Sequence, residues 1–492
     1  MRLKPELLCV ALVIAGSSAW FVLSTLAMDE IPDAALMTTS LVTALAFVSA
    51  FAGTPSIQRV KAAGSKEFAI AGGAGMLTWL APQLIVLSQR ATDAPSGTET
   101  LFFTTAAWAL MAALTSLGVR EDRPSASQVA AVALSVLGAA ALLANWERPS
   151  SFSPFIKFPE QELIMLFAGV VFASGLLLGR RSGRALGARS SLWIGVASAA
   201  VAAFVLALPA GFGSMQTFQS EWPQLLLAGA ALATLATGMS GLVRITGTAR
   251  ATAWLVIVPV ALTGLSVVER LTGVYGPNPI VWPGVLGGTI AVLAGLLAAQ
   301  TYRGSTAPSS ASDPPARLGF PRLPLSALAL SALATVLAVV SLFLPAFVAF
   351  VDGILESGAE YSVVWRLSGA ESAVGWLVLC VSALALALAV DCARQRPVRG
   401  LLVAAVSAVV ALASFPLLAD TPLHTWTRWI PAEVQHAYGT EYARLTFEAA
   451  PSAVRLAAAG FALAACIALI VSAVLGRRHG DALVHSALKE IA

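Results

Sequence analysis

Reaction chemistry and ion coupling need ionisable side chains, thiols or imidazoles held close together, and this chain places few of them where they could cooperate. Its four cysteines, Cys9, Cys380, Cys392 and Cys466, show neither metal-ligand nor disulfide-framework spacing. Three lie in or beside apolar runs, where a free thiol behaves as a small hydrophobe. Cys392 sits in a short basic loop and is the thiol expected to meet solvent. His424 and His436 are too far apart, and too unsupported, for a metal site. No Asp, Glu, Lys, Arg or His falls in the central part of the first ten apolar runs delimited below. Intramembrane ionisable groups mark proton relays and sites for charged cargo. Their absence argues against a buried-carboxylate proton antiporter and against a strongly ionic pocket. What remains is aromatic and amidic. Trp79 and Trp108 lie near the centres of their runs, away from the interfacial belt, and an indole N–H at that depth needs an acceptor. Cavity lining and helix packing both fit. Gln83 follows Pro82, whose ring removes a backbone donor and frees a carbonyl. The Gln83 amide can satisfy that break or present donors and acceptors to a ligand.

The elements that carry these residues follow from composition. Of 492 residues 58% are hydrophobic and 11% charged, with a net charge of +4 and a mean hydropathy of +0.81. A soluble domain carries about 25% charge, so a soluble enzyme, a secreted domain and a nucleic-acid binder are excluded. A spanning helix needs about 20 apolar residues to cross roughly 30 Å of hydrocarbon. Long continuous runs without period-2 alternation are helices, not barrel strands. Fourteen are found, at 7–27, 34–54, 68–88, 100–119, 127–145, 162–180, 190–210, 224–243, 251–268, 281–301, 324–350, 373–391, 399–418 and 452–476. The first resembles a signal peptide but is long enough to span, and is read as a retained helix. With the N-terminus in the cytoplasm and alternating spans, 22 of the 30 basic residues fall on the cytoplasmic side, as the positive-inside rule requires. One miscounted span would destroy that segregation. The sequence therefore predicts an all-α polytopic protein of a cell (inner) membrane, with both termini in the cytoplasm.

A Pro-, Ser- and Gly-rich stretch at 302–323 reads as a cytoplasmic linker between ten spans and four. Within the first ten, Leu114-Thr115-x-Leu117-x-Val119-x-Glu121 recurs as Leu262-Thr263-x-Leu265-x-Val267-x-Glu269, and Gly97-Thr98 recurs as Gly247-Thr248. Each match falls in or just before the fourth span of a five-span unit. Five is odd, so the second unit enters the membrane inverted, as in many secondary transporters. Four segments follow: a first five-helix repeat at 1–150, an inverted second at 151–301, the linker at 302–323, and a four-helix C-terminal membrane block at 324–492.

On these residues the first block resembles the EamA type of the drug/metabolite transporter superfamily. Gly16-Ser17-Ser18, Ile31-Pro32, Glu121 with Ser127-Gln128, Leu137-Gly138, Pro259 and Glu269-Arg270-Leu271 carry the likeness. It covers roughly 1–301. There are departures: residues 101–119 lack the proline expected in the fourth span, and the spacing from Pro259 to Glu269 is shorter than usual in the family. The block at 324–492 has no EamA counterpart.

The resemblance implies a cavity enclosed by spans one, three, four, six, eight and nine, with the fifth and tenth peripheral. Carried onto this chain, its candidates are Ser17, Ser18, Trp79, Gln83, Trp108, Ser174, Thr234 and Thr237, with Pro259 as a hinge. Ser and Thr in spans also satisfy their own helix backbone or allow close packing, and Pro259 can equally be a static kink. Glu121 and Glu269, at helix ends, read as loop anchors. Gly284-x-x-x-Gly288 in the tenth span permits close helix approach, either within the subunit or in a homodimer. In the C-terminal block, the outer segments near 351–372 and 419–451 are acidic or aromatic-rich, with Trp426, Trp429, Tyr438 and Tyr442 among polar residues. They suit a loop cap, a helix in the headgroup region, or a docking surface for substrate or partner. The expected function is a permease exporting a small neutral, zwitterionic or amphipathic solute by alternating access, in contact with the lipid bilayer and without cofactor, metal or nucleic acid. A flippase for a lipid or lipid-linked sugar is the alternative within transport, and a non-transporting scaffold the alternative outside it. No recognised catalytic spacing supports an enzyme.

Overall fold

The computed structural model describes residues 5–27, 33–55, 57–88, 97–146, 159–210, 215–271, 282–301, 322–354, 360–393, 400–418, 444–449 and 452–491. Residues 302–321 of the linker, Ile31-Pro32 and the aromatic segment with His424 and His436 lie outside them. Six helical segments are long and apolar enough to cross a bilayer: Ala188–Pro209, Glu221–Thr246, Trp282–Thr301, Leu325–Leu342, Ala373–Ala393 and Ala453–Leu475. Shorter apolar helices accompany them, such as Ala35–Phe51 and Leu401–Ala413. Their outer faces carry exposed large hydrophobics, among them Phe51, Val201, Phe204 and Val336. Apolar surface on that scale is satisfied by lipid and not by water. The chain is a helical membrane protein.

Two compact units divide it, Met1–Pro124 with Lys157–Val274, and Ser125–Ile156 with Tyr275–Ala492. The first contains α1 (Pro5–Ala27), α2 (Asp33–Ala52), α3 (Ile57–Gly75), α4 (Ala81–Ser88) and α5 (Gly97–Ser116). The second contains α6 (Ala126–Trp146), and the chain then returns to the first with α7 (Pro159–Leu186), α8 (Ala188–Ala210), α9 (Met215–Thr246), α10 (Thr248–Ala253) and α11 (Ile257–Leu271). Two of these helical segments are irregular, each beside a proline. A π-helical turn, Met76–Leu80, joins α3 to α4 just before Pro82, and a 3-10 turn, Trp254–Val256, joins α10 to α11 just before Pro259. Proline cannot donate to the carbonyl four residues back and its ring crowds that carbonyl. The helix answers by widening in one span and tightening in the other.

Helix packing in the first unit has an exchange symmetry. Helix α1 packs on α9 as α7 packs on α3; α2 packs on α9 as α8 packs on α3; α2 meets α8, and α5 meets α10. For these pairs, swapping each element for the one five along leaves the scheme unchanged, although α7 also packs on α8 with no comparable contact between α1 and α2 among the described residues. The close approaches obey it too. A methyl on Gly16 would stand 2.9 Å from the Ala231 carbonyl oxygen and strike the Leu235 amide. A methyl on Gly175 would stand 2.9 Å from the Ala74 carbonyl oxygen and 2.8 Å from the Thr78 amide. Thr115 and Thr263, equivalent in the sequence repeat, each donate to the carbonyl four residues back, Met111 and Pro259, at 2.7 Å.

In the second unit, α6 opens with a capping box: the Ser125 amide donates to Gln128 Oε1 at 3.0 Å and the Gln128 amide to Ser125 Oγ at 3.2 Å. Its partner is α12 (Trp282–Thr301). A methyl on Gly288 would sit 2.8 Å from the Gly138 carbonyl oxygen, and Ser135 Oγ donates to the Val292 carbonyl at 3.2 Å. The small residues of the tenth span thus serve packing within the chain. Helices α13 (Arg322–Leu342), α14 (Ala373–Ala393), α15 (Leu401–Ala413), the short α16 (Phe415–Leu418) and α17 (Ala453–Ile491) complete the unit. Cys392, expected to meet solvent, is buried at the end of α14. The chain is not wholly α-helical. The apolar run at 324–350 leaves the helix at Leu342, and strand β1 (Pro345–Ile354) pairs antiparallel with β2 (Glu360–Ser368) and with β3 (Arg444–Ala449), in the order β2-β1-β3. Pro345 cannot continue the helix, and Phe347, Val348, Phe350 and Val351 have the branched and aromatic shapes that favour a strand.

Candidate functional site

A cavity of about 690 Å³ lies in the first unit, walled by α3, its π-helical turn, α7, α8 and the end of α9. Its volume is that of a small-molecule site, roughly 300–1,000 Å³. Glycine makes the room: Gly75, Gly175, Gly179, Gly183, Gly187 and Gly195 all line it. Gly75 and Gly195 bring α3 and α8 backbone to backbone, since a methyl on Gly195 would lie 3.1 Å from the Gly75 Cα. Trp79 forms one end.

Four arginines line the other end, Arg180 and Arg184 near the end of α7, Arg189 at the start of α8, and Arg244 in the last turn of α9. Two are neutralised. Arg180 pairs with Asp122, whose side chain is 4% exposed, and Asp122 also accepts from Thr248 Oγ1 at 3.3 Å. Arg184 pairs with Glu121, both more than half exposed. The loop after α5 is thereby fastened to α7 and to the start of α10, which gives Glu121 the anchoring part expected of it. Arg189 and Arg244 are exposed and have no carboxylate partner among the described residues. Hydroxyls of Ser190, Ser191 and Ser240 line the same region. Ser191 is held by Ser182, Oγ to Oγ at 2.6 Å.

Of the residues proposed from sequence, the cavity takes Trp79 alone. Trp79 and Trp108 are both buried and are joined by a residue the sequence reading missed. Phe172 of α7 stacks on Trp108 at 4.9 Å between ring centroids and meets Trp79 edge-on at 6.4 Å. A phenylalanine inside an apolar run carries no signal of its own in the sequence. Ser174 and Thr234 bond to their own helix, donating to the Val170 and Ala230 carbonyls at 2.8 Å each. Thr237 is exposed. Pro259 is buried and its carbonyl accepts from Thr263. Ser17 Oγ, Ser18 Oγ and Gln83 Oε1 are buried without a hydrogen-bond partner among the described residues, and so is Trp254 Nε1 in the 3-10 turn, which the sequence reading also missed. The described residues hold no cluster of metal-ligating side chains.

Fold and site together define a helical membrane protein with a ligand-sized cavity opening among basic side chains. No family model matches the chain, and no curated protein does. One solved crystal structure is similar over 58% of this chain and 94% of its own, at 17% identity and a TM-score of 0.43. Likeness at that level leaves the function to the residues themselves.

Proposed function

We propose that the chain is an inner-membrane permease of the EamA type, with fourteen spans and both termini in the cytoplasm, exporting a small solute by alternating access. The two five-helix repeats rock about the cavity that ends at Trp79, and Pro82 and Pro259 supply the irregular turns about which the walls bend. Support comes from the exchange symmetry of helix packing, carried down to the matching contacts of Gly16 and Gly175. A pseudo-two-fold of this kind gives a protein two equivalent states, one open to each side, which is what alternating access uses. The cargo is a neutral, zwitterionic or amphipathic molecule, since the first ten apolar runs carry no ionisable residue in their central parts.

The test is flux. Purified protein reconstituted in liposomes exchanges a solute that also raises its unfolding temperature, and Trp79→Ala and Trp108→Ala abolish that exchange while the protein still inserts and purifies. A compound that stabilises the wild type yet never crosses the bilayer overturns the carrier and leaves a receptor or scaffold.

A further inference from the structure

We infer that the cavity selects an amphipathic organic anion, whose apolar body lies along Trp79 and whose carboxylate or phosphate head is held by Arg189 and Arg244. This deepens the permease proposal and rests on it for the cargo's fate, while the binding itself is tested without transport.

Three observations converge. The first is charge. Four arginines serve one cavity mouth and the described carboxylates neutralise two of them, through Asp122 and Glu121. Basic residues at helix ends also set topology, but that role does not require them to line a cavity, and it would be served as well by lysine. All four are arginines, as are 25 of the chain's 30 basic residues. Arginine presents a planar fork that fits carboxylate or phosphate through two bonds. The second observation is the wall between them. Arg189 and Ser190 begin α8, where first-turn amides have no acceptor within the helix and the dipole favours an anion. The hydroxyls of Ser190 and Ser240 add donors beside them.

The third is length. Along α3 and its π-helical turn the cavity is lined from Ala71 to Trp79, which at the α-helical rise of 1.5 Å per residue is at most about 12 Å. An inorganic ion leaves most of that space empty, whereas a molecule with a flat or aliphatic body fills it. The charged head then stays near the membrane surface and only the apolar body goes deeper, which reconciles an anionic cargo with spans that have no central ionisable residue. A free metabolite and a membrane lipid both offer this chemistry.

Binding of phenyl phosphate to the detergent-purified full chain, followed by calorimetry, tests the assignment. Benzyl alcohol and inorganic phosphate serve as the two half-ligands, and short-chain phosphatidic acid as the lipid source. Phenyl phosphate is expected to bind at least tenfold tighter than either half-ligand, with affinity falling as salt rises. R189A/R244A weakens it tenfold or more. R189K/R244K, which keeps the charge that orients the helices, weakens it several-fold, and Trp79→Ala does the same. Competition by phosphatidic acid, or binding of that lipid alone with the same dependence on both arginines, supports the anionic head and assigns its source to the bilayer. Equal affinity for benzyl alcohol, or unchanged affinity in R189A/R244A, overturns the proposal. Binding that meets every expectation without flux in liposomes leaves it standing and removes the permease instead.

Discussion

Replacing Asp122 by asparagine keeps the size of the side chain and an oxygen for Thr248 Oγ1, and removes only the negative charge facing Arg180. The cost follows from exposure. Breaking a fully buried pair by removing one partner costs about 3–5 kcal/mol, because the other charge is stranded, while exposed pairs contribute about 0–1 kcal/mol. Asp122 is 4% exposed and Arg180 20%, so water reaches the stranded guanidinium in part and about 2–3 kcal/mol is expected. Glu121→Gln breaks a pair whose members are 64% and 54% exposed, and about 0.5 kcal/mol or less is expected there. Denaturant unfolding of the purified protein in detergent, followed by its helical signal, ranks the two. The double variant D122N/R180Q closes the cycle. Because it strands no charge, it recovers at least half of what Asp122→Asn alone loses. Equal losses from the Asp122 and Glu121 variants, or strictly additive losses in the cycle, would refute the claim that this pair is buried and coupled.

Gly16→Val and Gly175→Val should each lower the yield of monodisperse protein, since their side chains meet the backbone of the facing helix and overpacking costs about 1–3 kcal/mol or more. Gly73→Ala, with nothing within 4 Å of the added methyl, should be neutral or stabilising by up to about 1 kcal/mol; size-exclusion profiles and unfolding midpoints compare the three. Pro82→Ala restores the backbone donor and removes the cause of the π-helical turn, so Trp79 shifts in register. Binding of the stabilising solute should fall several-fold with the unfolding midpoint unchanged or raised, and unaltered binding would dissociate the turn from the site. A membrane-impermeant maleimide should fail to label Cys392 in the folded protein, because its thiol is buried against the rest of its unit; rapid labelling before denaturation contradicts the packing of α14.

Hydropathy located the helices because the requirement it reads, about 20 apolar residues per crossing, is one of composition. It could not separate apolar residues by neighbour. Phe172, which ties Trp79 to Trp108, is one aromatic in a uniformly apolar stretch, and only the fold brings α7 between α3 and α5. The same blindness carried the eleventh run through the first six residues of β1, since PAFVAF is nearly as apolar as the helix before it and Pro345 is the mark of the change. Proline was more legible. Pro82 and Pro259 promised broken backbone within two spans, and both breaks are present, in opposite senses. The arginines were legible as a topology signal and not as a site. Arg180, Arg184, Arg189 and Arg244 lie on three helices, and no spacing along the chain announces that they share a cavity.

The unmatched polar atoms of the first unit bear on what the fold is for. Ser174 and Thr234 illustrate the ordinary fate of a hydroxyl in a span, closure onto the carbonyl four residues back. Ser17, Ser18, Gln83 and Trp254 depart from it, as do Glu67, Ser116 and Gln224. A buried donor or acceptor left unpaired costs about 1–3 kcal/mol, a large fraction of the stability of any fold. Two of them sit where a proline disturbs a helix, Gln83 directly after Pro82 and Trp254 in the turn before Pro259. Ser17 and Ser18 follow Gly16, the tightest contact of α1 with α9. A fold selected for stability alone would fill these positions with alanine or leucine at no loss of packing. Unpaired polar groups beside both irregular turns and beside the Gly16 contact fit the proposed carrier, whose walls part and meet a polar solute, so that atoms idle in this conformation are matched in another.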